Sequence, residues 1–378
     1  MVDASRLKTI AAAHREQGLQ LGSQVFVSVA GTPAVHFADG EAVVGRPLDT
    51  SSVLRWYEAS MPLITITVGR LLDNGSLGLD DPVSRYLKMW GNSKDECTIR
   101  HLLTHMGGFA GAELADRDLG HAEALEAIAA YRAEYTPGTR AGFHPSASWR
   151  VLAAIVESIE KRPIEKVITR SILKPLGLRK SVFTHLDAKT LAALQGSISP
   201  SHWTGLTVTS RDEDGLPIEV PHQRDLIHNT AWHMAKWEPA QSTWGSAAAL
   251  GRVYEGLLAD AKKLFDNPST INMMTSTHRE GLVDRTLGAA VPWGLGFQVA
   301  ASFGGSVGYR AFGHGGLTGR AICDPVDKLV MVYLTNGMTS RVDHERRMSE
   351  MTDAIYESVM PRSLGAWVTT SLPAVGVS

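Results

Sequence analysis

Two cysteines, Cys97 and Cys323, are all that 378 residues contain. A disulfide framework is therefore not the scaffold, and no CxxC or Cys/His ladder for a structural zinc can be built. Charge of one sign is lacking too: 37 Lys and Arg stand against 39 Asp and Glu, a formal net charge of -2. With no basic excess to neutralise phosphates, nucleic acid is not an expected partner. Long hydrophobic runs are missing as well. No stretch reaches the roughly 20 apolar residues of a membrane helix. The start, MVDASRLKTIAAAHREQG, lacks the basic, apolar and small-residue succession of a secretory signal. These absences lead to the expectation of a cytoplasmic protein with no membrane span. No glycine-rich phosphate loop stands between a strand and a helix, so no cofactor is expected.

The residues that are present alternate between two textures. Residues 3–21 carry helical periodicity through Leu7, Ile10, Ala11 and Leu19. Residues 24–30 and 33–38 are short β-rich runs around Gly31-Thr32, which predicts a hairpin. Residues 60–74 begin with Ser60 and Pro62 and close on Asn74-Gly75, the punctuation of a helix. Helical patterns dominate from about 98 to 290. Strand texture returns in WGLGFQVAA, GYRAFGHGG, RAICDP and KLVMVYLTNG, and a last helix covers about 343–360. The expected organisation is an α/β (α+β) fold. An antiparallel sheet subdomain is built from both termini (1–55 and 290–378), a mainly helical subdomain spans 56–289, and the active-site cleft lies between them.

Several segments, in order, resemble the serine β-lactamase and penicillin-binding-protein-like family in its esterase-like branch. They are WYEASM at 56–61 with PLITITVGRLLDNGSLGLDDPVSRYL at 62–87, TIRHLLTHMGGF at 98–109, YTPGTRAGFHPSASWRVLAAIVE at 135–157, ILKPLGL at 172–178, FGHGG at 312–316 and DPVDKLVMVYLTNG. The resemblance implies the β-lactamase/transpeptidase fold and acyl transfer through a serine. It also implies a lysine three residues after that serine as its base, a tyrosine as proton relay and a Lys-Thr-Gly or His-Xaa-Gly strand as the third side of the site.

The nucleophile position matches Ser60, but Leu63 stands where the lysine is expected. Against the family pattern, two residues are missing between Met61 and Pro62. From Ser60 to Leu87 the only basic residues are Arg70 and Arg85, and arginine is no base at ordinary pH. Phe143 stands at the expected tyrosine, just before His144-Pro145, and cannot relay a proton. The third motif survives as His314-Gly315-Gly316.

Other patterns have plainer explanations. Ser5 to Lys8, Ser158 to Lys161 and Ser171 to Lys174 are chance Ser-x-x-Lys strings. Gly304-Gly305-Ser306-Val307-Gly308 matches G-x-S-x-G, but a nucleophile elbow needs a helix after it and strand-like residues follow. His101 and His105 are spaced for a shared metal yet have no third ligand, so one packed and one hydrogen-bonded histidine are expected. His222, His228 and His233 read as polar loop residues. Ser60 can be a plain helix cap or a nucleophile at the helix N-terminus, where partial positive charge favours anions.

The favoured reading is a repurposed enzyme that acts non-covalently by acid–base catalysis on a hydrophobic small molecule, by cyclisation, elimination or isomerisation, with a place in secondary metabolism. Ser60, His314 and His144 would be catalytic. Tyr57, Glu58, Leu63, Phe143, Gly315 and Gly316 would bind substrate. One alternative is a serine esterase, amidase or acyltransferase in which Ser60 is served by a substitute histidine base. The other is a non-catalytic protein that binds a small ligand or a partner.

Overall fold

The computed structural model describes residues 3–114, 119–204, 207–211, 217–221, 229–258, 261–304 and 306–359. His222 and His228 lie outside these residues. Helix α1 (Ala4–Glu16) opens the chain, with Asp3 accepting from the N–H groups of Ser5 and Arg6. Strands β1 (Gly22–Val29) and β2 (Thr32–Val43) form the hairpin, turning through Ala30 and Gly31, both at positive φ. β3 (Arg46–Pro47) follows. Strands β4 (Gln298–Val299), β5 (Phe312–Gly316), β6 (Gly319–Asp324) and β7 (Leu329–Thr335) come late in the chain. The seven strands assemble in the order β4-β5-β6-β7-β1-β2-β3. The pairings are antiparallel, and β1 meets β7 with Val25 opposite Tyr333 and Val27 opposite Met331. The two chain ends are thereby zipped into one sheet.

Both sheet faces are covered, which explains why LVMVYL reads as unbroken hydrophobicity. Period-two alternation sends Leu329, Met331 and Tyr333 to one face, with Val25, Val27 and Ile322. There they pack on α1 and the last helix, α7 (Arg341–Val359), through Leu7, Ala11, Met351 and Ile355. Val330, Val332 and Leu334 go to the other face with Phe26 and Ala321, against Leu250, Val253 and Leu257 of α5 (Ala247–Leu258). A Cβ on Gly251 would lie 2.3 Å from the Phe26 ring, so glycine lets α5 settle onto β1.

Beyond α5 lies the helical layer. Its centre is α2 (Met61–Asp73), with Pro62 in the first turn and a stop at Asn74 before Gly75. Every residue from Met61 to Gly69 is buried. A helix apolar on all sides belongs in a core; α2 packs against α4 (Pro145–Glu160) and α6 (Ser269–Thr275), and the short α3 (Ile99–Leu103) packs on α4. The WGLGFQVAA run yields only the two residues of β4. Gly308 leads directly into β5 with no helix after it, as a glycine-rich turn does. No described helix is long and apolar enough to cross a membrane.

Candidate active site

Tyr57–Ser60 forms one 3₁₀ turn that delivers the chain into α2. Ser60 occupies the N-cap position but has helical dihedrals (φ −84°, ψ −14°) and makes no side-chain cap bond. The capping role open to it from sequence is not realised. Its Oγ donates instead to the carbonyl of Ala240 at 3.0 Å, and the residue is 1% exposed. A carbonyl can accept that hydrogen bond but cannot take the proton.

Tyr57 adopts φ +48°, a left-handed conformation that costs a non-glycine residue about 1–3 kcal/mol. It is held by its neighbours. Its hydroxyl donates to Ser201 Oγ at 2.8 Å, and the Arg55 guanidinium lies 4.9 Å from the ring centre. Glu58 turns towards β5 and the 240–241 segment. Gln241 Nε2 donates to one carboxyl oxygen at 2.7 Å and the Leu317 N–H to the other at 3.0 Å. Burial nevertheless pushes the Glu58 carboxyl above the usual range, against the pull of those donors and Arg55.

Within β5 only Phe312 and Gly313 pair with β4, so the His314–Gly316 end of β5 extends past its neighbour. The Ser60 turn docks on that end. A Cβ on Gly316 would stand 2.8 Å from Ala59 N and 2.9 Å from Glu58 N, so only glycine permits this backbone-to-backbone approach. Gly315 N donates to Gln298 Oε1 at 3.0 Å. Ser60, Glu58, Gly315 and Gly316 are thus brought to one place. Leu63 sits in the main hydrophobic core, and the Tyr57 hydroxyl points to Ser201 and Met338.

The histidines form a second, adjoining cluster, built around two residues that sequence reasoning did not assign to the site. Trp293 stands 5.5 Å from His314, 4.5 Å from His105 and 5.7 Å from Phe143, between ring centres. His105 stacks on Trp149 at 5.1 Å and meets His144 at 5.4 Å, while its Nδ1 accepts the His144 N–H at 3.3 Å. Trp149 Nε1 donates to Met61 O at 3.0 Å, tying the cluster to the first residue of α2. His144 directly precedes α4, packs on Phe109 at 4.5 Å, and is fully buried. Only Phe143 is partly open. Burial lowers His144 and His314 to about 4 and takes His105 well below the ordinary value. All three are therefore neutral imidazoles at pH 7. His314 Nδ1 lies 2.5 Å from Gly315 O, and its Nε2 has no partner among the described residues.

Arg279 and Asp284 support this cluster from behind, with their charges 3.1 Å apart and no exposure. Asp284 accepts the Phe143 N–H at 2.9 Å, and Arg279 lies 5.5 Å from the Trp293 ring. His105 was visible in sequence as half of a His-x-x-x-His pair. His101 goes elsewhere, accepting the Thr98 N–H at 3.3 Å. Among the described residues no three His, Cys, Asp or Glu are grouped to hold a metal.

A serine at the head of a buried helix, docked on a His-Gly-Gly strand end under a mixed α/β layer, defines a fold of the β-lactamase/transpeptidase class. The chain belongs to the Beta-lactamase family, whose family model matches residues 7–354. It is 26% identical over 368 residues to a "Putative D-alanyl-D-alanine carboxypeptidase" of Escherichia coli (strain K12), covering 88% of this chain and 78% of the relative. It is 28% identical over 295 residues to "Esterase EstB" of Burkholderia gladioli, covering 70% of each. A solved "family VIII carboxylesterase" superimposes with TM-score 0.76 at 20% identity, over 94% of this chain and 97% of that one.

Proposed function

We propose that the protein is a serine acyl hydrolase or acyltransferase acting on small hydrophobic esters, with Ser60 as nucleophile and His314 as the substitute base. The observation that carries this reading is the docking of the Ser60 turn on the His314-Gly315-Gly316 strand end. Relatives named as an esterase and a carboxypeptidase support it over the non-covalent reading favoured from sequence. In this reading the cleft lies between the sheet unit (1–55 and 290–378) and the helical unit (56–289). Ser60 Oγ bonds to the ester carbonyl carbon and its proton passes to a neutral imidazole. The C–O bond then breaks and the alcohol leaves with that proton. Water or a second alcohol resolves the acyl-enzyme. Gly315 and Gly316 offer close backbone approach to the substrate, and Phe143 an apolar wall. Because Ser60 is covered by Ala240, the segment carrying Ala240 has to move for a substrate to arrive.

The test is mass spectrometry of the folded protein after a fluorophosphonate probe. A stoichiometric adduct on Ser60, lost in Ser60→Ala, is expected. An unlabelled, folded protein would overturn the proposal.

A specific observation favours a second reading. The Ser60 hydroxyl donates its hydrogen bond to the Ala240 carbonyl rather than to a basic side chain, which suits non-covalent acid–base chemistry at His314 on a hydrophobic small molecule in secondary metabolism, with His144 assisting. Under that reading Ser60→Ala retains turnover and His314→Ala loses it. If a bound small molecule is never turned over, ligand binding alone remains.

A further inference from the structure

The flank of the sheet carries a cavity of about 540 Å³ that the Ser60 site does not use. It lies between the end of α6 with the residues after it and the segment joining β4 to β5. Neither Ser60, Glu58, His144 nor His314 lines it. Pro292, Val299 and Ala311 supply apolar lining, the last two buried. Tyr309, 81% exposed, stands on the wall.

Two charges of opposite sign face the same space, Arg310 and Glu280, both on exposed residues. Arg310 donates to the neutral Asn272 Oδ1 at 3.1 Å, and neither charge belongs to an ion pair among the described residues. A guanidinium presents a planar fork of donors that matches a carboxylate. A carboxylate accepts from an ammonium. With both charges and this apolar lining in one cavity, the complementary ligand carries both charges and an apolar body. The volume falls in the usual range of small-molecule sites, about 300–1,000 Å³.

We propose that this cavity binds a small zwitterion with an apolar side chain, an amino acid or dipeptide. The ligand carboxylate pairs with Arg310 and its ammonium with Glu280. The side chain lies over Pro292, Val299 and Ala311 beside Tyr309. The site is separate from acyl transfer at Ser60 and stands or falls independently of it.

Calorimetric titration of the full chain with phenylalanine, in each enantiomer, tests this against two analogues that each lack one charge, phenylalanine amide and 3-phenylpropionate. At least one enantiomer is expected to bind one-to-one, with each analogue weaker by about tenfold or more, since each leaves one charge of the site unpaired. Arg310→Ala and Glu280→Gln each weaken phenylalanine by about tenfold, while Ser60→Ala binds as the parent does. No binding by either enantiomer would overturn the proposal. So would equal binding of all three compounds, or full binding by both charge variants. Binding abolished by Ser60→Ala would move the ligand to the other site and equally reject this one.

Discussion

Ser60 Oγ donates to the Ala240 carbonyl at 3.0 Å, and both residues are closed from solvent. The neighbouring Gln241 donates to Glu58, two residues before that serine. The 240–241 segment therefore caps the turn that carries the candidate nucleophile, through one backbone acceptor and one side-chain donor. Under the proposed acyl transfer, labelling of Ser60 follows how readily this cap opens.

Gln241→Ala removes the side-chain half of the cap. A net hydrogen bond of about 0.7–1.4 kcal/mol corresponds to a factor of about 3–10 in opening. Fluorophosphonate labelling of Ser60 should accelerate by that factor, followed by intact mass against time. Unchanged or slower labelling in a folded variant would contradict a cap held by this contact.

Gly316→Val places a side chain where the Ala59 and Glu58 backbone nitrogens already stand within 3 Å of a Cβ. Backbone on both sides cannot yield as a side-chain tip would. The expected loss is about 1–3 kcal/mol in urea denaturation, with reduced Ser60 labelling as the turn is displaced. A variant as stable as the parent would show that the strand end and the turn are looser than this contact implies.

The Arg279–Asp284 pair carries no exposure. Arg279→Met alone leaves the buried Asp284 carboxylate with its backbone N–H donors but no counter-charge, and should cost about 3 kcal/mol. Adding Asp284→Asn removes the uncompensated charge, so the double variant should lose less than the sum of the two singles. Denaturant midpoints over the four-member cycle check this, and strict additivity would argue against direct pairing.

The buried histidines make stability depend on pH with a defined sign. Burial sets His144 and His314 at about 4 in the folded state, against about 6.5 when unfolded. Between those values the unfolded chain takes up protons that the folded chain refuses. Stability therefore falls as pH drops from 6.5 to 4, by up to about 1.4 kcal/mol per unit for each histidine. His105 adds in the same direction. His314→Gln should flatten the slope by about 1 kcal/mol per unit, measured by urea denaturation at pH 7.5 and 5. A variant slope equal to the parent's would mean that the His314 imidazole is protonated as readily folded as unfolded.

What the sequence by itself determined is the set of elements and the family. Pro62 and Asn74-Gly75 bound α2, the alternation in KLVMVYLTNG sorts β7 onto two faces, and the ordered motifs identify the fold. These signals are local, carried by periodicity, caps and short strings. Local strings also marked Ser60, His144, His314, Gly315 and Gly316 as candidates. Only the tertiary structure decided what those residues meet. Ala240 and Gln241 are about 180 residues from the Ser60 turn in sequence. Trp293 reaches Phe143, His105 and His314 from three separate elements. Asp284 accepts a backbone N–H 141 residues away. No local pattern encodes such contacts, because they are set by where the packed helical layer brings distant loops together. For the same reason Leu63, which sequence placed on the substrate, faces the core. The Ser60 hydroxyl, a cap or a nucleophile by its position in the chain, serves as a donor to a carbonyl that only folding brings within reach.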